Sequence, residues 1–88
     1  MAFDPSSSYF SFQRSGVLYR VLGSQADTVL QNSDRVVVGQ GTTSVSVTVD
    51  KVKTSHSALD LDADMVPYTD NLTKVTHKVS LRTFQGLL

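Results

Sequence analysis

Lys74, Lys78 and Arg82 recur at every fourth residue, with Thr76 and Ser80 between them and no acid in the stretch. Alternate side chains share one face of a strand. Read as a strand, Leu72–Phe84 therefore carries a cationic stripe set with hydroxyls. Thr43–Lys53 shows the same pattern, with Ser44, Ser46 and Thr48 alternating with Val45, Val47 and Val49, and with Lys51 and Lys53 at its end. Ammonium, guanidinium and hydroxyl groups are the donors that hold phosphate oxygens. Ser44, Ser46, Thr48, Lys51, Lys53, Lys74, Thr76, Lys78 and Arg82 are accordingly the candidate nucleic-acid-binding residues. The plainer use of such a face is to keep one side of a sheet in water.

Other chemistry is poorly supplied. Asp60, Asp62 and Asp64 open like a calcium loop, but Met65 and Asn71 stand where an EF-hand needs glycine and glutamate. The segment reads as an exposed acidic loop, or as a contact for a neighbouring subunit's basic edge. His56 lies among serines without a nucleophile elbow or a third triad member. His77 falls on the apolar side of its strand and reads as a hydrogen-bonded core residue. Gly39-Gln40-Gly41 is too short for a phosphate loop and reads as a turn. The expectation is no enzyme, no metal and no cofactor.

These side chains need strands to hold them. Met1–Ser8 reads as an irregular arm, and Tyr9–Gln13 as a short strand with Phe10 and Phe12 on one face. Gly16 marks a turn, and Val17–Leu22 is the next strand. Ala26–Gln31 is ambiguous between strand and helical turn; Asn32–Asp34 is a loop; Arg35–Val38 is a short β-branched strand. Thr43–Lys53 and Leu72–Phe84 read as the two long strands. The alternation of the first slips after Asp50, which fits a bulge or a strand end. Thr54–Met65 is a long loop with one helical turn around Ser57–Leu61. Val66-Pro67-Tyr68 is extended, and Thr69-Asp70-Asn71 is a turn. The predicted core is Val45, Val47, Val49, Val75, Val79 and Leu81. No internal repeat is evident. The fold class is all-β: one domain over residues 1–88, an antiparallel sheet of about five to six strands, with a short helical remnant at the C-terminal end.

The chain has 88 residues, no cysteine, no glutamate and a formal net charge of zero. A domain this small gains from reinforcement. Disulfides and thiolate metal sites are excluded, which leaves association with copies of itself. Neutrality argues against a polycationic binder but is compatible with one basic face and an acidic edge. Met1–Phe12 lacks the basic start and apolar centre of a secretory leader, and no apolar run approaches a membrane span. The expectation is a protein made in the cytoplasm, without a membrane partner.

Val45–Thr54, the loop Ser55–Met65 and Val66–Arg82 together resemble the coat proteins of single-stranded RNA bacteriophages, the levivirus group. The resemblance implies an N-terminal hairpin followed by an antiparallel sheet, joined edge to edge in a dimer and facing packaged RNA. The family's paired C-terminal helices have no full counterpart here; Phe84, Leu87 and Leu88 match at most their start. The resulting expectation is a self-assembling virion coat subunit that binds RNA on its sheet. The alternatives are a small nucleic-acid-binding module and a phage tail or head-decoration protein.

Overall fold

The computed structural model describes residues 3–88; Met1 and Ala2 of the expected arm lie outside them. Three hairpins follow one another, each ending in a turn of helix. The first is β1 (Ser8–Arg14) and β2 (Val17–Leu22), leading through the 3-10 turn Gly23–Gln25 into α1 (Ala26–Val29). The second is β3 (Arg35–Gln40) and β4 (Thr43–Thr48) with α2 (Val49–Lys53). The third is β5 (Met65–Asp70) and β6 (Thr76–Ser80) with α3 (Leu81–Gln85). All six strands belong to one antiparallel sheet, which is the all-β architecture the alternation predicts.

Local chemistry closes each hairpin. Ser15 and Gly16 both have positive φ, 54° and 77°, the signature of a two-residue type I′ turn. Gly41, at φ 64°, begins the second turn. In the third, the Asp70 carboxylate accepts from the amides of Leu72 and Thr73 at 2.8 and 3.4 Å, an Asx arrangement that organises a longer connection.

The three units are copies of one ββα pattern. Phe10, Val36 and Val66 take corresponding places on the first strands, as do Val21, Val47 and Val79 on the second. Ala26, Val52 and Phe84 correspond on the helical turns, and all nine are buried. The first strands join in a ring. Gln13 pairs with Arg35, Gly39 with Met65, and Thr69 with Tyr9. The helical turns are tied back alike, with Val49 N bonded to Asp34 O and Leu81 N to Asp64 O, each at 2.8 Å. The expectation of no internal repeat is thereby corrected. The repeat lies in positions and burial, not in residue identity.

Both long strands are shorter than their patterns predict. β4 stops at Thr48, and Val49 and Val52 are helical positions three apart on one buried face. The slip after Asp50 therefore marks the strand end. Leu72–Phe84 is a strand only from Thr76 to Ser80. Leu72 is 82 % exposed in the turn, and Leu81 and Phe84 repeat the helical spacing of Val49 and Val52. Val75 is half exposed, not core. His77 is exposed beside the Tyr68 ring, 5.6 Å away, so it is not a buried, hydrogen-bonded histidine. Ser57–Leu61 forms turns without a helix.

The core lies between the inner sheet face and the three helical turns. Phe10 contacts Phe84 and Tyr68 with ring centroids 4.9 and 6.1 Å apart, and Phe3 reaches in from the arm to cover Tyr68 at 4.9 Å. Two carboxylates are buried at matching places, just before β3 and β5. Asp34 takes two bonds from Arg14 and one from Gln31 N. Asp64 takes one from Gln40 and one from Asp60 N. Arg14 and Gln40 each also donate to a backbone carbonyl further along the chain, Val29 O at the end of α1 and Ala58 O in the loop after α2. Every buried side-chain polar atom among the described residues has a partner, as close packing around polar groups requires.

Candidate nucleic-acid interface

Cross-strand partners share a sheet face, so the registers define the side turned away from the helices. Ser44, Ser46 and Thr48 stand opposite Gly39, Val37 and Arg35. Thr76, Lys78 and Ser80 stand opposite Thr69, Pro67 and Met65. The Gly39–Met65 pair joins the two sets on one face. Through Gln13–Arg35 and Tyr9–Thr69 that face continues over Ser11 to Leu18 and Arg20.

This outer face carries three cations, Arg20, Arg35 and Lys78, and no carboxylate. Among the described residues Asp70 is the one acidic residue in any strand, and it pairs with buried Ser8 on the inner side. Arg20 lies over the Tyr9 ring, 5.4 Å from its centroid. Arg35 donates from Nη1 to Ser46 O at 3.3 Å. Where the hairpins splay apart, two grooves open. One of about 440 Å³ lies between the second and third units, with Val37, Ser44, Met65, Pro67 and Lys78 in its walls. The other, about 250 Å³, lies between the first and second, with Ser11, Gln13, Leu18, Arg35 and Ser46. Cations, hydroxyls and an apolar floor can together hold a phosphate-bearing chain.

Five of the nine sequence-selected residues meet on this face: Ser44, Ser46, Thr48, Thr76 and Lys78. The other four do not. Lys74 sits in the β5–β6 turn at φ 60°, and its Nζ donates to Asn71 Oδ1 at 2.9 Å. Lys51 and Lys53 belong to α2, on the side of the helical turns, where Lys53 Nζ donates to Asn32 Oδ1 at 2.9 Å. Arg82 belongs to α3, and its Nε and Nη2 bind Asp62 Oδ1 and Oδ2 at 2.7 and 3.2 Å. Those hydrogen bonds, and then the charge, hold the Asp62 carboxyl below its usual range and raise Arg82. The continuous Lys74–Lys78–Arg82 stripe is broken because the strand gives way to helix at Leu81.

Sequence reading missed Arg20 and Arg35. Arg20 had a legible signal, because it alternates with Val21 in Val17–Leu22. Arg35 had none, being the first residue of a short run whose facing was undetermined. The acidic loop does not converge on a point. Asp60 Oδ1 accepts from the amides of Asp62 and Ala63, Asp62 turns to Arg82, and Asp64 turns inward. Among the described residues no helix is long and apolar enough to cross a membrane. Comparison with protein families, with curated proteins and with solved structures finds no match.

Proposed function

We propose that this chain is a non-catalytic structural subunit of a virion, which assembles with copies of itself and holds packaged RNA against its outer sheet face. The observation that carries the reading is the absence of any carboxylate on a face that gathers Arg20, Arg35 and Lys78 among serine and threonine hydroxyls. In a chain of zero net charge, that segregation gives a polyanion one favourable side to approach. The levivirus-like order of the C-terminal half supports a coat role over a free-standing binding module.

The test compares two triple variants. Replacing Arg20, Arg35 and Lys78 by Ala should strip RNA from the purified protein and flatten the salt dependence of binding by about two log–log units for a single strand. Replacing Lys51, Lys53 and Arg82 by Ala should change RNA retention little. Light scattering should find particles of megadalton mass. Equal RNA loss in both triples, or none in either, removes the RNA-facing assignment. A protein that stays small and keeps salt-sensitive RNA affinity is a binding module instead.

A further inference from the structure

Three strands, β2, β4 and β6, lie at equivalent edges of the ring, with one backbone plan and three different sequences. β4 exposes Thr43, Ser44 and Ser46, and β6 exposes Thr76, His77 and Lys78. β2 instead exposes Val17, Leu18 and Tyr19 in succession, at 50, 65 and 46 %. An open apolar edge is a template for another strand, and lysine, proline or a bulge usually blunts it. β2 has none of these, and its one charge, Arg20, lies over Tyr9 of its own subunit.

We propose that β2 pairs antiparallel with β2 of a second copy, with Tyr19 opposite Tyr19. The proposal rests on the self-assembly part of the function above and is independent of RNA. The register follows from the turn. A type I′ turn at Ser15–Gly16 makes Arg14 and Val17 a hydrogen-bonded pair. Bonded and non-bonded pairs alternate along the ladder. Leu18, Arg20 and Leu22 therefore direct their amides and carbonyls away from β1, toward a newcomer.

A two-fold axis that keeps both faces of the joined sheet continuous must set like-facing residues opposite each other. Leu18 opposite Arg20, once on each side of a central Tyr19–Tyr19 pair, meets that condition and uses two of the three outward-pointing residues of each copy. Centring the pair on Arg20 would oppose two guanidinium groups. Centring it on Leu18 would halve the backbone bonds. In the chosen register the acid-free outer face runs unbroken across both copies.

The test uses nuclease-treated, RNA-free protein. Sedimentation should show a dimer or larger species. Leu18→Lys changes a side chain that is 65 % exposed, so the fold should persist while the dissociation constant rises at least about tenfold. The chain has no cysteine, so Tyr19→Cys introduces a single thiol. A non-bonded cross-strand pair brings Cβ atoms to about 4.5–5.5 Å, close to disulfide reach. Mild oxidation should cross-link Tyr19→Cys and spare His77→Cys, its counterpart on β6. A monomeric wild type, unchanged association in Leu18→Lys, or cross-linking through His77→Cys alone would overturn the proposal. Shells that survive Leu18→Lys would overturn it and leave the coat reading standing. A β2 dimer that binds no RNA when RNA is added back would uphold it and remove the RNA reading.

Discussion

The guanidinium of Arg14 grips the carboxylate of Asp34 through two nitrogens, at 2.7 and 2.8 Å, and so locks the end of β1 to the start of β3. The two ends differ in exposure: the Asp34 side chain is fully buried and that of Arg14 is 36 % exposed. Removing either partner therefore has unequal consequences. Arg14→Met strands a buried carboxylate and should be the more destabilising of the two changes. Asp34→Asn leaves Arg14 free to reach water and should cost about 1–3 kcal/mol. Urea unfolding of both variants checks the order, and a larger loss in Asp34→Asn would contradict it.

The same pair sets an acid limit on the fold. Bonds from Arg14 depress the Asp34 carboxyl pKa, burial opposes them, and the Gln31 amide adds to the depression. A group with a lower pKa in the folded state stabilises above its unfolded pKa and loses that contribution as pH falls through the folded value. Stability should thus hold above about pH 5 and decline below about pH 4. Asp34→Asn should be less stable at neutral pH but show a shallower acid slope, measured as melting temperature against pH.

Gln40 repeats the task of Arg14 one unit later with a neutral side chain, bonding Asp64 and Ala58 O, each at 3.0 Å. Gln40→Ala should cost about 1–2 kcal/mol, since Asp64 keeps the Asp60 amide but loses a side-chain donor. Chemical denaturation measures it, and a neutral result would mean that water replaces the amide without loss.

At the start of the helical turns, Val49 and Leu81 are matched by Gly23. The arm fills the space that a side chain would take. A Cβ on Gly23 would lie 3.1 Å from Pro5 Cα and Cβ and 3.2 Å from Phe3 Cζ. Gly23→Ala should therefore cost about 1–3 kcal/mol by overpacking. Adding Phe3→Ala should recover part of that penalty, a coupling that a double-mutant cycle would reveal.

Ser46 lies in the middle of the outer face, its carbonyl bonded by Arg35. Ser46→Asp should leave the melting temperature nearly unchanged and lower RNA affinity about three- to tenfold at low salt, with the difference shrinking as salt rises. Filter binding at two ionic strengths tests it. An unaltered affinity would mean that RNA does not cross this face.

Strand existence was legible wherever one face alternated cleanly, as in Phe10–Phe12 and Val45–Val47. Strand ends were not. Val49–Val52 and Leu81–Phe84 continue an apolar rhythm that suits a strand for two residues and a helix for four, and each turn is too short to show its own period. The threefold plan was hidden because its corresponding sites hold Phe10, Val36 and Val66, or Ala26, Val52 and Phe84, alike in burial but unlike in volume. Of the candidate face, the hydroxyls and Lys78 were readable from alternation. Arg82 was not, because its Asp62 partner comes from a distant loop.

The ring of first-strand pairings also fixes when the molecule can be finished. Tyr9, near the beginning of the chain, waits for Thr69, near its end, so two hairpins alone form an open arc with β1 unsatisfied on one side. A nascent chain on the ribosome holds that arc until the third hairpin emerges, and contacts of such sequence separation form slowly. Each freshly made chain therefore passes through an interval in which its interior can be reached by chaperones, proteases or a neighbouring incomplete copy.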